Sequence, residues 1–498
     1  MKISRNIKVL SDKEKEIIHE YSIKVLSEIG IRIDVDELIE SCKAMGAKVD
    51  FTKKIVKFNK KLIEDTLSRV KEISKGLYSS GFKGYSISSF SLKSVSLRLG
   101  GACLYWYDSI NKRAINPEYK DMIDMVRLGD AIDEVLTVGN PILSMEDKNG
   151  NKVPDEIIPL RNAEIIANNT SKPGSSEVWD YRQVKYLMEM GIVVRGSKEK
   201  YLENPCFVTA KETISPLALD NKAGKILMEY ANVGLPCMII PMPLTGATSP
   251  VTPASNIVIA NSEILGVLTA IRCYKEEAII GGGVITGILD MGTGTACFNA
   301  PESILQDLAL YQLWRDYYDS GIILGVGYDD AKYPGVQSGI EKAFKALGIA
   351  AGAKPTGKTG LIEGKISIYG GILGSGTIFS PEQLIIDIDM YYQMKRYFDG
   401  IEVNENTIAF DLIKNVGISG SFLEQDHTLK NFKKFIYYPS VFDRSISNGL
   451  NEDKKKDIVD AARNRWKEIL SKHSPFELED YKRKEIRKII EAAREELL

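Results

Sequence analysis

The chain opens with apolar residues spaced as one face of a helix. They follow the i, i+4 spacing of an amphipathic stripe: Ile17, Tyr21, Val25, Leu26 and Ile29. Gly30 stands just beyond the last of them, where a helix is expected to end. A second amphipathic segment runs over 36–45. The pattern predicts two helices at the start of the chain.

The stretch from 85 to 115 has a different period. Polar and apolar residues alternate between 94 and 99, and Gly100-Gly101 separates this run from a second strand-like run. A period of two is typical of a strand with one buried face. The sequence therefore predicts β-hairpins over this stretch.

From 131 to 400 short apolar runs alternate with long helical patterns. The strand candidates are 135–138, 205–210, 236–240, 277–280 and 321–326, with weaker ones at 165–170 and 361–366. The helix candidates are 216–233, 254–274, 301–318 and 336–351. This alternation is typical of parallel strands joined by helical crossovers. It predicts an α/β fold, a TIM-type (β/α)8 barrel. An open doubly wound sheet is the alternative, but no GxGxxG turn follows the first strand.

The remaining residues complete a three-part organisation. The chain after 401 is highly charged and has helical patterning. We expect N-terminal helices and β-hairpins over 1–130, a barrel core over 131–400 and a C-terminal helical cap over 401–498.

Composition excludes several classes of protein. The 498 residues carry 65 basic and 67 acidic side chains, a net charge of −2, which argues against a nucleic-acid-binding protein. The most apolar stretch, 234–247, contains three prolines, and no export signal is apparent. The six cysteines form no CxxC pair and the three histidines make a histidine-rich metal site improbable. We expect a cytoplasmic protein with reduced cysteines, no metal and no membrane contact.

Candidate chemistry lies where the predicted strands end, because barrel enzymes use the loops after their strands. The loop 325–332 carries two adjacent acidic residues, Asp329 and Asp330. Adjacent carboxylates cannot share one direction, so at most one points into the cavity while the other is free to cap the next helix. Lys332 either neutralises the pair or binds a substrate carboxylate. The alternative is an ordinary capping loop with a surface lysine.

Aromatic residues near these loops are candidates for a cage around a quaternary ammonium ion, which ring faces attract. The candidates are Tyr105, Trp106, Tyr107, Trp179, Phe298 and Tyr328. Each of them alone is more typical of a core residue. The triplet Gly281-Gly282-Gly283 is interpreted as a tight turn after a strand rather than a phosphate loop.

Nucleophilic catalysis by the chain itself finds little support. No GxSxG motif is present, and no cysteine has a histidine nearby in the sequence. His427, within the segment 420–428, is the one histidine that stands apart as a candidate.

Taken together, several segments resemble the trimethylamine methyltransferase superfamily over nearly the whole chain. They are VLSEIGI (25–31), CKAMGAKVD (42–50), NTSKP (169–173), ISPL (214–217), PMPLTGATSPVT (241–252), SEIL (262–265), DMGTG (290–294), DAKYPGVQ (330–337), GISGSFL (417–423), His427-Thr428, Tyr438-Pro439 and Asp443-Arg444. Any one of them is unspecific, whereas their order and spacing are specific.

The resemblance implies an α/β barrel that moves a methyl group from an amine to the Co(I) corrinoid of a separate carrier protein. Members with pyrrolysine act on trimethylamine, whereas members without it are associated with quaternary amines such as glycine betaine. No non-standard residue occurs in this chain. The expected cobalamin cofactor is supplied by the partner, and a homo-oligomer is expected. Gly335 and a glycine-rich stretch over 365–377, interpreted as an insertion after Glu363, depart from the family pattern.

On this resemblance we assign expected roles. Tyr328, with Phe298 or Trp179, contacts the methyl groups, and Asp330 or Glu363 balances the cation. Lys332 or Lys211 binds a substrate carboxylate, and Gln337 joins the substrate-binding set. His427 receives the corrinoid or orients a neighbouring group.

Two other functions stay open at this point. One is a barrel lyase or aldolase in which Lys211 or Lys332 forms a Schiff base. The other is a non-catalytic barrel that binds amines without transferring a methyl group.

Overall fold

The computed structural model describes residues 7–79, 95–320, 322–352, 366–444 and 457–498. Glu363 and the predicted strand residues 361–365 lie outside these ranges, as do residues 85–94 of the predicted hairpins.

The strands are short and spread along the chain. In chain order they are β1 (Ile31–Ile33), β2 (Lys48–Asp50), β3 (Ile55–Lys57), β4 (Val95–Leu99), β5 (Tyr105–Asp108), β6 (Arg113–Ile115), β7 (Val135–Val138), β8 (Ala210–Glu212), β9 (Ala218–Leu219), β10 (Cys237–Ile240), β11 (Leu244–Thr245), β12 (Ile280–Val284), β13 (Gly287–Asp290), β14 (Thr295–Cys297), β15 (Ile322–Val326), β16 (Ile366–Tyr369), β17 (Ile372–Leu373) and β18 (Ile378–Phe379).

The helices are longer and alternate with the central strands. They are α1 (Asp12–Lys24), α2 (Asp36–Ala44), α3 (Lys60–Ser79), α4 (Tyr119–Ala131), α5 (Ile158–Asn169), α6 (Gln183–Arg195), α7 (Lys198–Glu203), α8 (Asn221–Val233), α9 (Pro253–Tyr274), α10 (Pro301–Asp316), α11 (Val336–Gly352), α12 (Pro381–Asp399), α13 (Glu405–Ile408), α14 (Phe410–Val416), α15 (Asp426–Phe435), α16 (Ile458–Lys472) and α17 (Asp480–Leu497). A π-helix over Val25–Ile29 extends α1, and Gly30 ends it.

The central sheet has seven parallel strands in the order β7-β4-β16-β15-β12-β10-β8. A helix separates each pair of strands that are consecutive in the chain, because parallel neighbours must be joined by a crossover. The α/β class with a parallel sheet is confirmed. Loops that carry polar side chains follow the carboxyl ends of these strands, so they share one end of the sheet.

The segment 172–176 hydrogen-bonds to both sides of the gap between β7 and β8. Val138 donates its N–H to the Lys172 carbonyl at 2.8 Å, and Gly174 donates to the Val138 carbonyl at 2.9 Å. On the other side, Phe207 donates to the Gly174 carbonyl at 2.7 Å, just before β8. The segment 172–176 therefore hydrogen-bonds to β7 on one side and to the residues just before β8 on the other.

The hairpin prediction is only half right. β5 pairs with β6 in antiparallel fashion, as expected of a hairpin. Val95–Leu99 instead lies between β16 and β7 as a parallel strand of the central sheet. Alternation at 94–99 gave the correct element, but period alone does not reveal which strand is the partner. The N-terminal part predicted over 1–130 thus contributes a strand to the sheet.

Further local predictions are also wrong. The candidate strand 165–170 lies largely in α5, where Ile165 and Ile166 are buried, because a short apolar run fits a buried helix as well as a strand. The glycine triplet lies inside β12 rather than in a turn after it. A Cβ on Gly282 would lie 2.9 Å from Ile264 Cγ2, so the missing side chain allows α9 to pack closely against the sheet.

The stretch 365–377, interpreted from the sequence as an insertion, contains a strand of the central sheet. Its first described residues form β16, which lies between β15 and β4 in the central sheet. A short 3-10 turn, Gly374–Gly376, then approaches the loop after β15. Glycine-rich composition therefore reflects close packing at the end of the sheet.

The helix α9 forms the middle of the core. Of the described helices, one is long and apolar enough to cross a membrane, and it is α9, whose most apolar 18-residue window is 78% buried inside the protein. It packs against α1, α2 and α10. That burial accounts for its apolar composition.

The C-terminal part is helical and is attached to α12. The backbone N–H groups of Ser440, Val441 and Phe442 all donate to the Asp389 carboxylate of α12, at 2.8 to 3.3 Å. The helices α13, α14 and α15 bury no residue.

Candidate functional site

The two acidic residues after β15 lie in different environments. Asp329 is fully buried, its carboxylate accepts a hydrogen bond from the Ser338 hydroxyl, and it lies 3.6 Å from the Lys342 ammonium. Burial raises the pKa of Asp329 to about 7, against the opposing pull of Lys342. Asp330 is half-buried and faces away from this cluster. The expectation that adjacent carboxylates diverge is met.

Asp330 lies in a small polar group of its own. Its carboxylate accepts from the Ser375 hydroxyl at 3.1 Å, and its backbone N–H donates to Glu341 Oε2 at 2.7 Å. The Cys297 thiol lies near Asp330. Burial, together with the charge of Asp330, raises the pKa of this thiol to about 11. The thiol is therefore protonated at neutral pH and is not a ready nucleophile. Lys332 is exposed on the same loop.

Two aromatic rings meet at the loop that carries Asp330. The ring centroids of Phe298 and Tyr328 are 6.0 Å apart and the rings are inclined at 61°. Phe298 directly follows β14 and is buried, whereas Tyr328 belongs to the same loop as Asp330 and is half-buried. Aromatic ring faces, together with a carboxylate on the same loop, can bind a cation that has no N–H donors.

The glycine turn after β16 closes against the tyrosine. A Cβ on Gly376, whose φ is +95°, would lie only 2.5 Å from Tyr328 Cε1. Only glycine combines this backbone conformation with that contact. The turn therefore packs directly against the Tyr328 ring. Before the structure, the glycine-rich composition was the one signal of this contact.

Trp179 and Lys211 line a cavity of about 650 Å³, and Phe298, Tyr328 and Asp330 are not among its lining residues. Lys211 Nζ donates to the Val178 carbonyl at 2.9 Å. The strand β8, which contains Lys211, is three strand positions from β15 in the sheet order. That amounts to roughly 14 Å at about 4.8 Å per strand.

An acidic residue, Glu177, lies near Lys211. Glu177 is half-buried, its backbone N–H donates to Asn140 Oδ1 at 3.3 Å, and desolvation raises its pKa. Lys211 is close enough to oppose that shift.

The other predicted site residues lie at the periphery or outside the described ranges. Gln337 is exposed and donates to Glu341 Oε1 at 2.7 Å, so it reaches Asp330 only through Glu341. His427 is exposed on α15, and among the described residues its side chain has no hydrogen bond or ion pair with the loop after β15. Glu363 lies outside the described residues. The structure thus joins Phe298, Tyr328 and Asp330, with Lys332 on the same loop.

No cluster of three or more His, Cys, Asp or Glu side chains suited to a metal ion occurs within the described ranges.

Comparison with known proteins decides the family. The sequence model of the trimethylamine methyltransferase (MTTB) family matches residues 1–497. The chain belongs to this family. Its relatives are named methyltransferases, and the protein is a methyltransferase of the methylamine type.

Three relatives show the range of names in the family. The trimethylamine methyltransferase MttB of Desulfitobacterium hafniense is 28% identical over 98% of this chain and 94% of its own length. A glycine betaine methyltransferase of the same species is 25% identical over 94% of this chain and 93% of its own. MttB of Methanosarcina barkeri is 25% identical over 98% of this chain and 95% of its own.

Among solved structures, a hydroxylamine complex of MtmB is similar at a TM-score of 0.48 and 12% identity, covering 99% of this chain and 89% of that one.

Proposed function

We propose that this methyltransferase takes a methyl group from a quaternary or tertiary methylated amine and delivers it to the Co(I) corrinoid of a partner carrier protein. The observation that carries the proposal is the grouping of Phe298, Tyr328 and Asp330 at the carboxyl end of the central sheet. The names of the relatives, which include a glycine betaine and several trimethylamine methyltransferases, support the same substrate class.

The chemistry requires little from the protein in the way of proton transfer. A quaternary nitrogen has no proton to lose, so the protein must hold the cation and aim one N–CH3 bond at the acceptor. Aromatic faces and a carboxylate supply this attraction, about 0.5 to 2 kcal/mol for each ring contact. Phe298, Tyr328 and Asp330 would bind the charged head in this way.

A betaine would also need a partner for its carboxylate. Lys332 is exposed on the loop that carries Asp330, whereas Lys211 lies three strand positions away. A betaine is only a few atoms long, so Lys332 is the cation that suits it. This arrangement favours a zwitterionic quaternary amine over trimethylamine.

The corrinoid is proposed to arrive on the partner, and it supplies the nucleophile for the methyl group. The chain's own contribution is to bind, orient and exclude water from the amine. His427, exposed on α15, stays a predicted contact for the partner. The cytoplasmic location and the homo-oligomer also stay predictions.

We further propose that the sheet closes as a (β/α)8 barrel, with the segment 172–176 as its eighth strand. The hydrogen bonds of this segment to Val138 and Phe207 support the proposal. A closed barrel places every catalytic loop around one opening.

A Schiff-base enzyme is a poorer match. Such a lysine is activated by desolvation or a neighbouring cation. Lys332 is exposed, and Lys211 donates to a backbone carbonyl.

Methyl transfer to Co(I) cobalamin tests the proposal. The protein is mixed with reduced cobalamin, free or on a carrier protein, and with glycine betaine, carnitine, proline betaine or trimethylamine in turn. We expect at least one quaternary amine to yield methylated cobalamin, seen as a change in its visible absorbance. The proposal is falsified if no amine does so while a known family member succeeds in parallel.

A further inference from the structure

The helix α11 carries two lysines whose side chains are fully buried. Lys342 and Lys345 are each 0% exposed and are three residues apart, which places them on one side of the helix. Lysine is almost never buried completely unless its ammonium is paired. Both lysines are paired, and each pairing leads to one part of the candidate site.

Lys345 fixes the backbone at Phe298. Its ammonium donates to the Phe298 carbonyl at 2.8 Å and lies 3.0 Å from Asp307 Oδ2 of α10. The other oxygen of Asp307 accepts from the N–H and the hydroxyl of Thr286, at 2.8 and 2.7 Å. The Phe298 carbonyl is thus linked through Lys345 to α11, and through Lys345 and Asp307 to α10 and to Thr286.

Lys342 fixes the loop that carries Tyr328 and Asp330. Its ammonium lies 2.8 Å from Asp387 Oδ2 of α12 and 3.6 Å from Asp329 Oδ2. Asp387 Oδ2 also accepts from the N–H of Gly371, in the turn after β16. Asp329 stands between Tyr328 and Asp330 in the chain, so its anchoring fixes both neighbours.

We propose that Lys342 and Lys345 are positioning residues for the cation site. From one helix face they set the mutual geometry of the Phe298 and Tyr328 rings and the direction of Asp330. The inference rests on the proposed function, because it specifies how that site is held. Neither lysine touches the substrate.

Energetics favour a directional role over a stabilising one. A buried ion pair contributes little net stability, because the cost of desolvation offsets the attraction between the charges. An apolar side chain would pack as well as lysine but cannot donate to the Phe298 carbonyl. What the ammonium adds is a fixed direction for one backbone carbonyl and one carboxylate.

The experiment uses a double variant that removes the donor and preserves the remaining contacts. In K345M/D307N the amide can still accept from Thr286, and no unpaired charge is left in the core. The single variant D307N keeps Lys345 and its hydrogen bond to Phe298. Calorimetry measures the binding of glycine betaine and of 3,3-dimethylbutyrate, which has the same shape without the positive charge.

The ratio of the two dissociation constants reports recognition of the cation alone. We define the preference as the dissociation constant of 3,3-dimethylbutyrate divided by that of betaine. In K345M/D307N this ratio is expected to be about tenfold smaller than in wild type, which corresponds to one ring contact. D307N is expected to keep the preference. A merely structural role would weaken both ligands equally and leave the ratio unchanged.

Lys15 provides a matched control for the loss of a buried lysine. It is 3% exposed and pairs with Asp12 and Asp316, and it lies on α1. K15M is expected to lower the melting temperature without changing the ratio.

A second variant keeps the inference testable if the first does not fold. K342M/D387N leaves an acceptor for Gly371 and loosens the loop at Tyr328 and Asp330, so the same loss of preference is expected. A folded variant of either pair with the wild-type ratio would overturn the positioning role. If the wild-type protein itself transfers no methyl group and shows no preference for the charged ligand, the proposed function fails and the inference with it.

Discussion

Phe298 and Tyr328 meet edge to face, with their ring centroids 6.0 Å apart. They come from two separate loops, one after β14 and one after β15, and the second loop also supplies Asp330. The site is thus assembled from parts that lie 30 residues apart in the chain. Each part can be tested by itself.

The Tyr328 ring is the first part. Replacing it with leucine in Y328L removes the aromatic face while keeping an apolar side chain of moderate size. We expect the dissociation constant for glycine betaine to rise about threefold to thirtyfold, with little change for 3,3-dimethylbutyrate. Calorimetry measures both. Y328F keeps the ring and serves as the control; equal weakening by both variants would contradict the role of the ring.

The Asp330 charge is the second part. D330N keeps an acceptor for Ser375 but removes the negative charge beside the cation. Betaine affinity is expected to fall about tenfold at low salt and less at high salt, because salt screens a half-exposed charge. D411N, on the exposed helix α14, removes an equal charge elsewhere. A similar loss in D411N would show that net charge, rather than this contact, is responsible.

The Gly376 turn is the third part. In G376A the added Cβ would lie 2.5 Å from Tyr328 Cε1, at a φ of +95°. We expect a loss of about 1 to 3 kcal/mol in the free energy of unfolding and weaker betaine binding as the ring moves. G196A is a matched control, since Gly196 has a φ of +88° and no atom within 4 Å of its Cβ position. It should lose stability while binding betaine normally; normal binding in G376A would refute the contact's role.

The buried carboxyl of Asp329 gives a pH dependence with a definite sign. Its pKa in the folded protein is about 7, above the ordinary aspartate value of 3.8. The folded state therefore holds the proton more tightly than the unfolded chain. The associated stability is fully present below about pH 4 and is lost as the pH rises towards 7.

The measurement is denaturant unfolding of the wild-type protein and D329N at pH 5 and pH 8. The side chain introduced in D329N cannot titrate, whereas the wild-type protein loses stability as Asp329 ionises. The free energy of unfolding of D329N minus that of wild type is therefore expected to increase from pH 5 to pH 8. Other titrating groups are shared by the two proteins and cancel in the difference. A difference that does not change, or that falls, would show that Asp329 is ionised in the folded protein throughout.

The sequence predicted much of this fold because its signals are local. The helical patterning at 254–274 gave α9 to within one residue, and the apolar run 321–326 gave β15. The parallel partner of Val95–Leu99 was not predictable, because pairing depends on where the rest of the chain goes. The same holds for Ile165 and Ile166, which are buried equally well in a helix.

The candidate site, too, was predictable from the sequence only where its signals are local. Phe298, Tyr328 and Asp330 could be proposed from loop position and family motifs, whereas the distance of Trp179 and Lys211 from them depends on strand order. The two lysines of α11 escaped notice because lysine in a helix is usually solvated. One signal was available: Lys342 and Lys345 precede the apolar residues Ala346 and Ile349 on the buried side of that helix.

The central claim is that a methyl group leaves an amine bound at Phe298, Tyr328 and Asp330. Its most direct test is single-turnover transfer from glycine betaine, labelled with carbon-13 in its methyl groups, to Co(I) cobalamin on a carrier protein, compared between wild type and Y328L/D330N. Labelled methylcobalamin is expected with the wild-type protein. The folded variant is expected to transfer the methyl group at least about tenfold more slowly at the same betaine concentration, below saturation. Equal rates in the two proteins would place the amine elsewhere and contradict the account.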